Sequence, residues 1–114
     1  MRGPGLLWEW CTIVRIDPVI HEPVRLVIVT VLSRVEWADF PSLCRRLGLT
    51  RGNLSSHVAC LERHRYVQVE KSIIGKVPHT QYRLTPAGRR ALQEYWAALD
   101  EIRASGEVEP PGTP

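Results

Sequence analysis

Arg51, Asn53, Ser55, Ser56 and His57 fall within one short stretch of the chain, and each is a type that can grip a nucleic acid. An arginine fork fits guanine O6 and N7, the amide of an asparagine fits adenine N6 and N7, and serine hydroxyls bond base edges or phosphate oxygens. Each has a plainer reading as well. Asn53 could simply cap a helix, Arg51 could be solvated, the serines could be ordinary surface residues, and His57 could pack at the edge of a core.

Two signals around the cluster say how it is presented. Gly48 stands where a helix should stop, because glycine takes the left-handed conformation without a Cβ penalty. Thr50 stands where the next helix should start, its hydroxyl placed to accept a free backbone N–H. Beyond it Leu54, Val58 and Leu61 recur at spacings of four and three, which makes one face of the new helix apolar. An apolar stripe behind a polar N-terminal end, after a tight turn, is the pattern of a helix-turn-helix whose second helix, about 50–64, enters a major groove. The first helix of such a pair crosses the backbone, so of Arg45 and Arg46 one is expected on a phosphate and the other in solvent.

Charge follows the same segment. The chain of 114 residues carries a net +3, but residues 39–91 hold ten Lys/Arg against three acids, a local +7. Residues 1–38 balance at four against four, and residues 92–114 hold one Arg and five acids, a local −4. Clustered positive charge is what a polyanion partner needs; a solvated charged surface would give the same count.

The remaining elements follow from local signals. Residues 1–17, with Trp8, Trp10, Ile13 and Val14, show no clean period and read as an arm. Pro18 with Asp17 as cap is one candidate helix start, and Pro23 is a second. Leu26, Ile28, Val29, Val31 and Leu32 then make an apolar β-branched segment, a core helix by its length and context rather than a buried strand. Trp37 to Phe40 is a connector with room for a short strand. Asp39 with Pro41 opens the helix that buries Leu43, Cys44 and Leu47. Tyr66 to Lys71 and Thr80 to Leu84 alternate apolar and polar, as half-buried strands do. Between them Ile73 to His79, with Gly75 and Pro78, reads as a flexible basic loop. The wing so formed, about 71–80, would bring Lys71, Lys76 and His79 to a backbone or a minor groove. Thr85-Pro86 opens a last helix carrying Ala87, Ala91, Leu92, Tyr95, Trp96 and Leu99. From Gly106 a proline-rich tail is expected not to fold.

Other classes find little support. No run approaches the roughly 18 apolar residues of a membrane span, and Glu9 and Asp17 break up any secretory leader. The three cysteines, Cys11, Cys44 and Cys60, are odd in number and irregular in spacing, which suits reduced thiols in a cytoplasmic protein. No C-x-C or C-x-x-C pair points to a metal, so no metal or other cofactor is expected. No nucleophile–base set or phosphate-binding glycine loop points to an enzyme.

Helix, helix-turn-helix, hairpin and helix is the order of a winged helix, an α+β fold that is mainly α. Over about residues 18–96 the chain resembles the small one-domain winged-helix transcriptional regulators related to the MarR and ArsR groups. The resemblance is carried by Leu49-Thr50-Arg51-Gly52-Asn53-Leu54-Ser55-Ser56-His57 and by Thr80-Gln81-Tyr82-Arg83-Leu84-Thr85-Pro86-Ala87-Gly88, which holds a Thr-x-Tyr-x-Leu-Thr-x-x-Gly signature. It implies a bacterial or archaeal cytoplasmic homodimer that binds operator DNA, and it puts His57 at a position that faces DNA. The expected division is an arm at 1–17, the DNA-binding domain at 18–92, a dimerisation helix at 93–104 and a tail at 105–114. Trp8, Trp10, Leu92, Tyr95, Trp96 and Leu99 are the expected dimer surface. Two other readings remain open: a winged-helix protein-interaction module, and a regulator that answers to metal or redox state through its cysteines.

Overall fold

The computed structural model describes residues 16–106. Trp8, Trp10 and Cys11, the arm around them, and the tail from residue 107 lie outside the described residues.

The first helix, α1 (Pro23–Leu32), opens at the second of the two candidate prolines. Asp17 and Pro18 make only a turn: the Asp17 carboxylate accepts Val19 N–H at 2.8 Å and Ile20 N–H at 3.4 Å. The turn cannot run on, because Pro23 excludes the helical conformation from the residue before it. Glu22 is accordingly extended, at φ −144° and ψ 129°, and becomes the cap of α1, its carboxylate accepting Arg25 N–H at 2.7 Å. The β-branched segment is a core helix, with Ile28, Val29 and Leu32 buried.

A two-residue strand, β1 (Ala38–Asp39), leads into α2 (Phe40–Leu47). Asp39 caps α2 by accepting Ser42 N–H at 2.8 Å. That bond is the main reason its carboxyl is held below the usual range, with the Ser42 hydroxyl and the charges of His79 and Arg45 adding to it. Gly48 ends α2 at φ 66°. Thr50 caps α3 (Arg51–Arg63), its Oγ1 accepting Asn53 N–H at 3.1 Å.

Strands β2 (Val67–Ile74) and β3 (Val77–Leu84) pair along their whole length, and β1 adds to the far edge of β3, giving the order β1-β3-β2. The expected loop at Ile73–His79 is therefore mostly strand. Gly75 at φ 53° and Lys76 at φ 70° form a two-residue turn with the doubly left-handed backbone that suits hairpin twist. Pro78 is tolerated for a geometric reason. In a two-residue hairpin Ile74 and Val77 are the hydrogen-bonded pair, so Pro78 opposite Ile73 turns its nitrogen away from β2. On that other side β1 reaches only Tyr82 and Gln81, so no partner misses a donor.

The last helix, α4 (Pro86–Gly106), is continuous across the expected 92/93 boundary. Ala91, Leu92, Tyr95 and Ala98 are buried on its inner side, with Leu99 packed against the same core. This corrects the expected dimer surface: Leu92 and Tyr95 fill their own subunit, at 5% and 4% exposure. Tyr95 also bonds His21 Nδ1 through its hydroxyl at 2.9 Å. Of the large apolar residues on α4, only Trp96 stands out to solvent. The core beneath is one cluster, with Ile20, Ile28, Val29, Leu32, Leu43, Leu54 and Leu61 fully buried.

Candidate nucleic-acid interface

The N-terminal half of α3 divides cleanly. Leu54, Val58 and Leu61 are buried, while Arg51, Asn53, Ser55 and Ser56 are exposed on the opposite side, together with the cap Thr50. Because Thr50 supplies the cap, Asn53 contributes only its backbone N–H to it and keeps its amide for other partners.

His57 goes elsewhere. It is half-buried, with Nδ1 3.4 Å from the Arg25 guanidinium and 3.8 Å from Glu22 Oε1, against the start of α1. Its place three residues after Leu54 turns it toward the α1–α3 seam and away from the exposed face, so the expectation that it faces DNA is corrected: it is a histidine packed at the core edge.

The wing brings the next groups in. The side of the hairpin that carries Val67, Leu84 and Tyr82 into the core continues outward through Lys71 and Thr80. Those residues, with Pro78 and His79, face Arg51 and Ser55 of α3 and Phe40 and Pro41 of α2 across an open cleft of about 320 Å³. Arg51 and Lys71 give it cationic character, Ser55 and Thr80 add hydroxyls, and no acid lines it. Burial pushes the Tyr82 phenol at its floor upward, so that it stays a neutral O–H. Phe40 is the residue that the sequence reading missed. The Arg51 guanidinium lies over its ring at 4.9 Å, a cation–π contact that orients the arginine toward the cleft. The signal was an aromatic directly after the Asp39 cap, but the role depends on α2 and α3 crossing.

The other basic residues are spread. Arg45 and Arg46 are exposed in the last turn of α2, Arg45 donating to Ser42 Oγ at 3.3 Å. Lys76 stands at the wing tip. Arg83 stacks over Trp37 at 5.1 Å, and Arg89 donates to the Ser33 carbonyl at 3.1 Å, so part of the local +7 holds the fold together. Glu70, the one acid on the wing, accepts from Gln81 Nε2 at 2.6 Å on the outer side of the hairpin. Among the described residues no three His, Cys, Asp or Glu side chains gather as a metal site would need. No helix among them is long and apolar enough to cross a membrane.

An exposed helix start set beside a hairpin across a basic cleft is the architecture of a winged-helix DNA-binding domain. The family model described as "Winged helix DNA-binding domain" matches residues 24–103, and the chain belongs to that family. An uncharacterized protein of Methanocaldococcus jannaschii is 34% identical over 77 residues, covering 68% of this chain and 84% of that one. The structure of a transcriptional regulator homologue from Pyrococcus horikoshii OT3 superimposes with a TM-score of 0.76 at 28% identity, over 88% of this chain and 99% of that one. A MarR-family regulator from Silicibacter pomeroyi shares the fold at a TM-score of 0.55 and 17% identity, over 96% of this chain and 70% of that one. An ArsR-family regulator does so at the same TM-score. Each of these three structural relatives is described as a transcriptional regulator or a homologue of one.

Proposed function

We propose that this protein is a cytoplasmic transcription regulator, not an enzyme, that reads an operator as a homodimer. The N-terminal end of α3 enters the major groove and the wing follows the backbone. The observation that carries the reading is the cleft: Arg51, Lys71, His79, Ser55 and Thr80 converge from two elements on one open site with no acid in its lining. Arg51 and Asn53 are the base readers. Thr50, Ser55, Ser56, Arg45, Lys71, Lys76 and His79 serve phosphate and position.

Such binding releases counterions, so affinity should fall steeply with salt, with a slope of about −0.9 per phosphate neutralised. In fluorescence anisotropy, raising salt from about 50 to about 200 mM should weaken a dimer with several contacts per subunit on the order of a thousandfold. Absence of binding to any genomic fragment at low salt would remove DNA from the account.

Support for the dimer comes from Trp96, 43% exposed on a helix whose other large apolar groups are buried or partly buried. One recognition helix offers too few base contacts for operator-grade affinity, whereas a two-fold pair presents half-sites roughly 34–36 Å apart. Trp96→Glu should yield monomers in sedimentation equilibrium, with operator affinity falling far more than affinity for random duplex. A wild-type protein that stays monomeric at tens of micromolar and still binds its site tightly would contradict this.

A further inference from the structure

Helix α1 is apolar on every side, with Arg25 and Thr30 the two exceptions among its ten residues. A helix of that kind is ordinarily enclosed all round, yet only Ile28, Val29 and Leu32 of α1 are buried. Pro23, Val27 and Thr30 recur at spacings of four and three on the side away from the core, and Val27 is 47% exposed. Neither exception makes that side polar. Arg25 turns away, donating Nε to the Val19 carbonyl at 2.7 Å. The Thr30 hydroxyl donates to the Leu26 carbonyl at 2.7 Å, inside the helix, and so needs no water. The outer side of α1 is a ridge between two grooves. One, of about 280 Å³, runs past Leu26 to Tyr95 of α4; the other, of about 220 Å³, runs past Val24 and Val27 to Leu47 and Leu49 at the helix-turn-helix turn. Pro23 lines both.

We propose that the chain's own N-terminal arm, residues 1–15, lies across this ridge and fills the grooves beside it, an inference that does not depend on DNA binding. Three observations select this occupant. Its chemistry fits: Leu6, Leu7, Trp8, Trp10, Ile13 and Val14 are six large apolar residues in fifteen, against one acid, Glu9. Its tether is in the right place. Ile16 packs against the core, and Asp17 is fixed by accepting both Val19 N–H and the Tyr66 hydroxyl. His21, at the first groove, follows Ile16 by only five residues. Its length suffices, because fifteen residues span about 22 Å even as a helix, against about 15 Å for the ten of α1. A segment tethered this close meets the grooves at an effective concentration that a separate chain does not match. The other end of the chain fits poorly: residues 107–114 offer Val108 as their one large apolar side chain, between Glu107 and Glu109. The arm so placed covers the face of α1 and braces Leu49, next to the Thr50 cap of the recognition helix.

Thermal melts of the full chain and three variants test this. Val27→Glu should lower Tm by about 5 °C or more, because it sets a charge in a covered apolar contact. On a bare face the same change would be neutral or favourable, since a glutamate near a helix N-terminus complements the dipole. Trp8→Ser with Trp10→Ser, which touches no described residue, should lower Tm by at least as much. The two losses should not add: the protein with all three substitutions should melt within about 2 °C of the less stable of the two variants, because either change already undocks the arm. Both losses should be the same at about 2 and about 200 μM protein. The proposal is overturned if Val27→Glu or the arm variant melts as wild type, or if the losses add. It is overturned too if the losses grow with protein concentration, because the cover then belongs to a second copy.

Discussion

Arg51→Ala is expected to weaken binding to the preferred duplex by about 1–3 kcal/mol and to relax the preference at one base pair, as loss of a bidentate base contact does. Random duplex should be affected much less. The size of the effect depends on how well the guanidinium is held, and here Phe40 holds it from 4.9 Å. An exposed cation–π contact contributes about 0.5–1 kcal/mol. Phe40→Leu, which keeps the apolar volume but removes the ring, should therefore reproduce a smaller share of the same loss of preference, on the same base pair. Lys76→Ala supplies the contrast, because a phosphate contact carries no sequence information and its loss should fall evenly on all duplexes. Competition binding against a panel of single-base operator variants separates the three. If Arg51→Ala lowers affinity for specific and random duplex equally, the arginine grips backbone and the assignment of base reading to it fails.

What the sequence made legible follows from how local each signal is. Asp39, Thr50 and Thr85 each cap through a bond to the N–H three residues ahead, and Gly48 ends α2 by its own backbone, so no distant residue has to be known. The apolar stripe of α3 is as local, and with it the exposed face of Arg51, Asn53, Ser55 and Ser56. The hairpin was legible but the short length of its loop was not, because Gly75 and Pro78 are breakers only in context. Gly75 starts a two-residue turn, and Pro78 is harmless because β1 is too short to meet it. The position of His57 depends on Glu22 and Arg25, more than thirty residues away, which meet it only because Pro23 fixes where α1 begins. Leu92 and Tyr95 read as spare apolar surface for as long as the destination of α4 is unknown. In the fold, Tyr95 finds His21 and both residues find the core. Periodicity says that a face is apolar; only tertiary placement says what covers it.

Gly88→Ala is expected to destabilise the domain by about 3 kcal/mol or more, against the direction that helix propensity alone gives. Gly88 lies in the first turn of α4, where alanine would ordinarily add about 0.8–1 kcal/mol of stability. A Cβ there, however, would stand 2.2 Å from the Tyr66 carbonyl oxygen and 2.8 Å from Leu84 Cδ1. The Leu84 contact could be relieved by a rotamer change, but the Tyr66 oxygen is backbone and already accepts Thr85 N–H at 3.0 Å. Thr85 is itself tied on both sides, donating its hydroxyl to the Arg65 carbonyl at 2.7 Å and accepting Gly88 N–H at 2.9 Å. Relief therefore requires moving α4 off the end of α3 and the start of β2, which breaks that joint. The clash outweighs the propensity gain, and it explains physically why the Thr-x-Tyr-x-Leu-Thr-x-x-Gly run ends on glycine: the hairpin and α4 approach there too closely for any side chain. For a domain of this size each kcal/mol moves the midpoint by about 4–8 °C, so Gly88→Ala should lower Tm by about 12 °C or more. Gly52→Ala is the control. It lies in the first turn of α3 with nothing within 4 Å of its Cβ, so it should raise stability by about 0.5–1 kcal/mol. Thermal melts followed by circular dichroism measure both. If Gly88→Ala melts at or above the wild-type temperature, the close approach of α4 to Tyr66 is absent in solution.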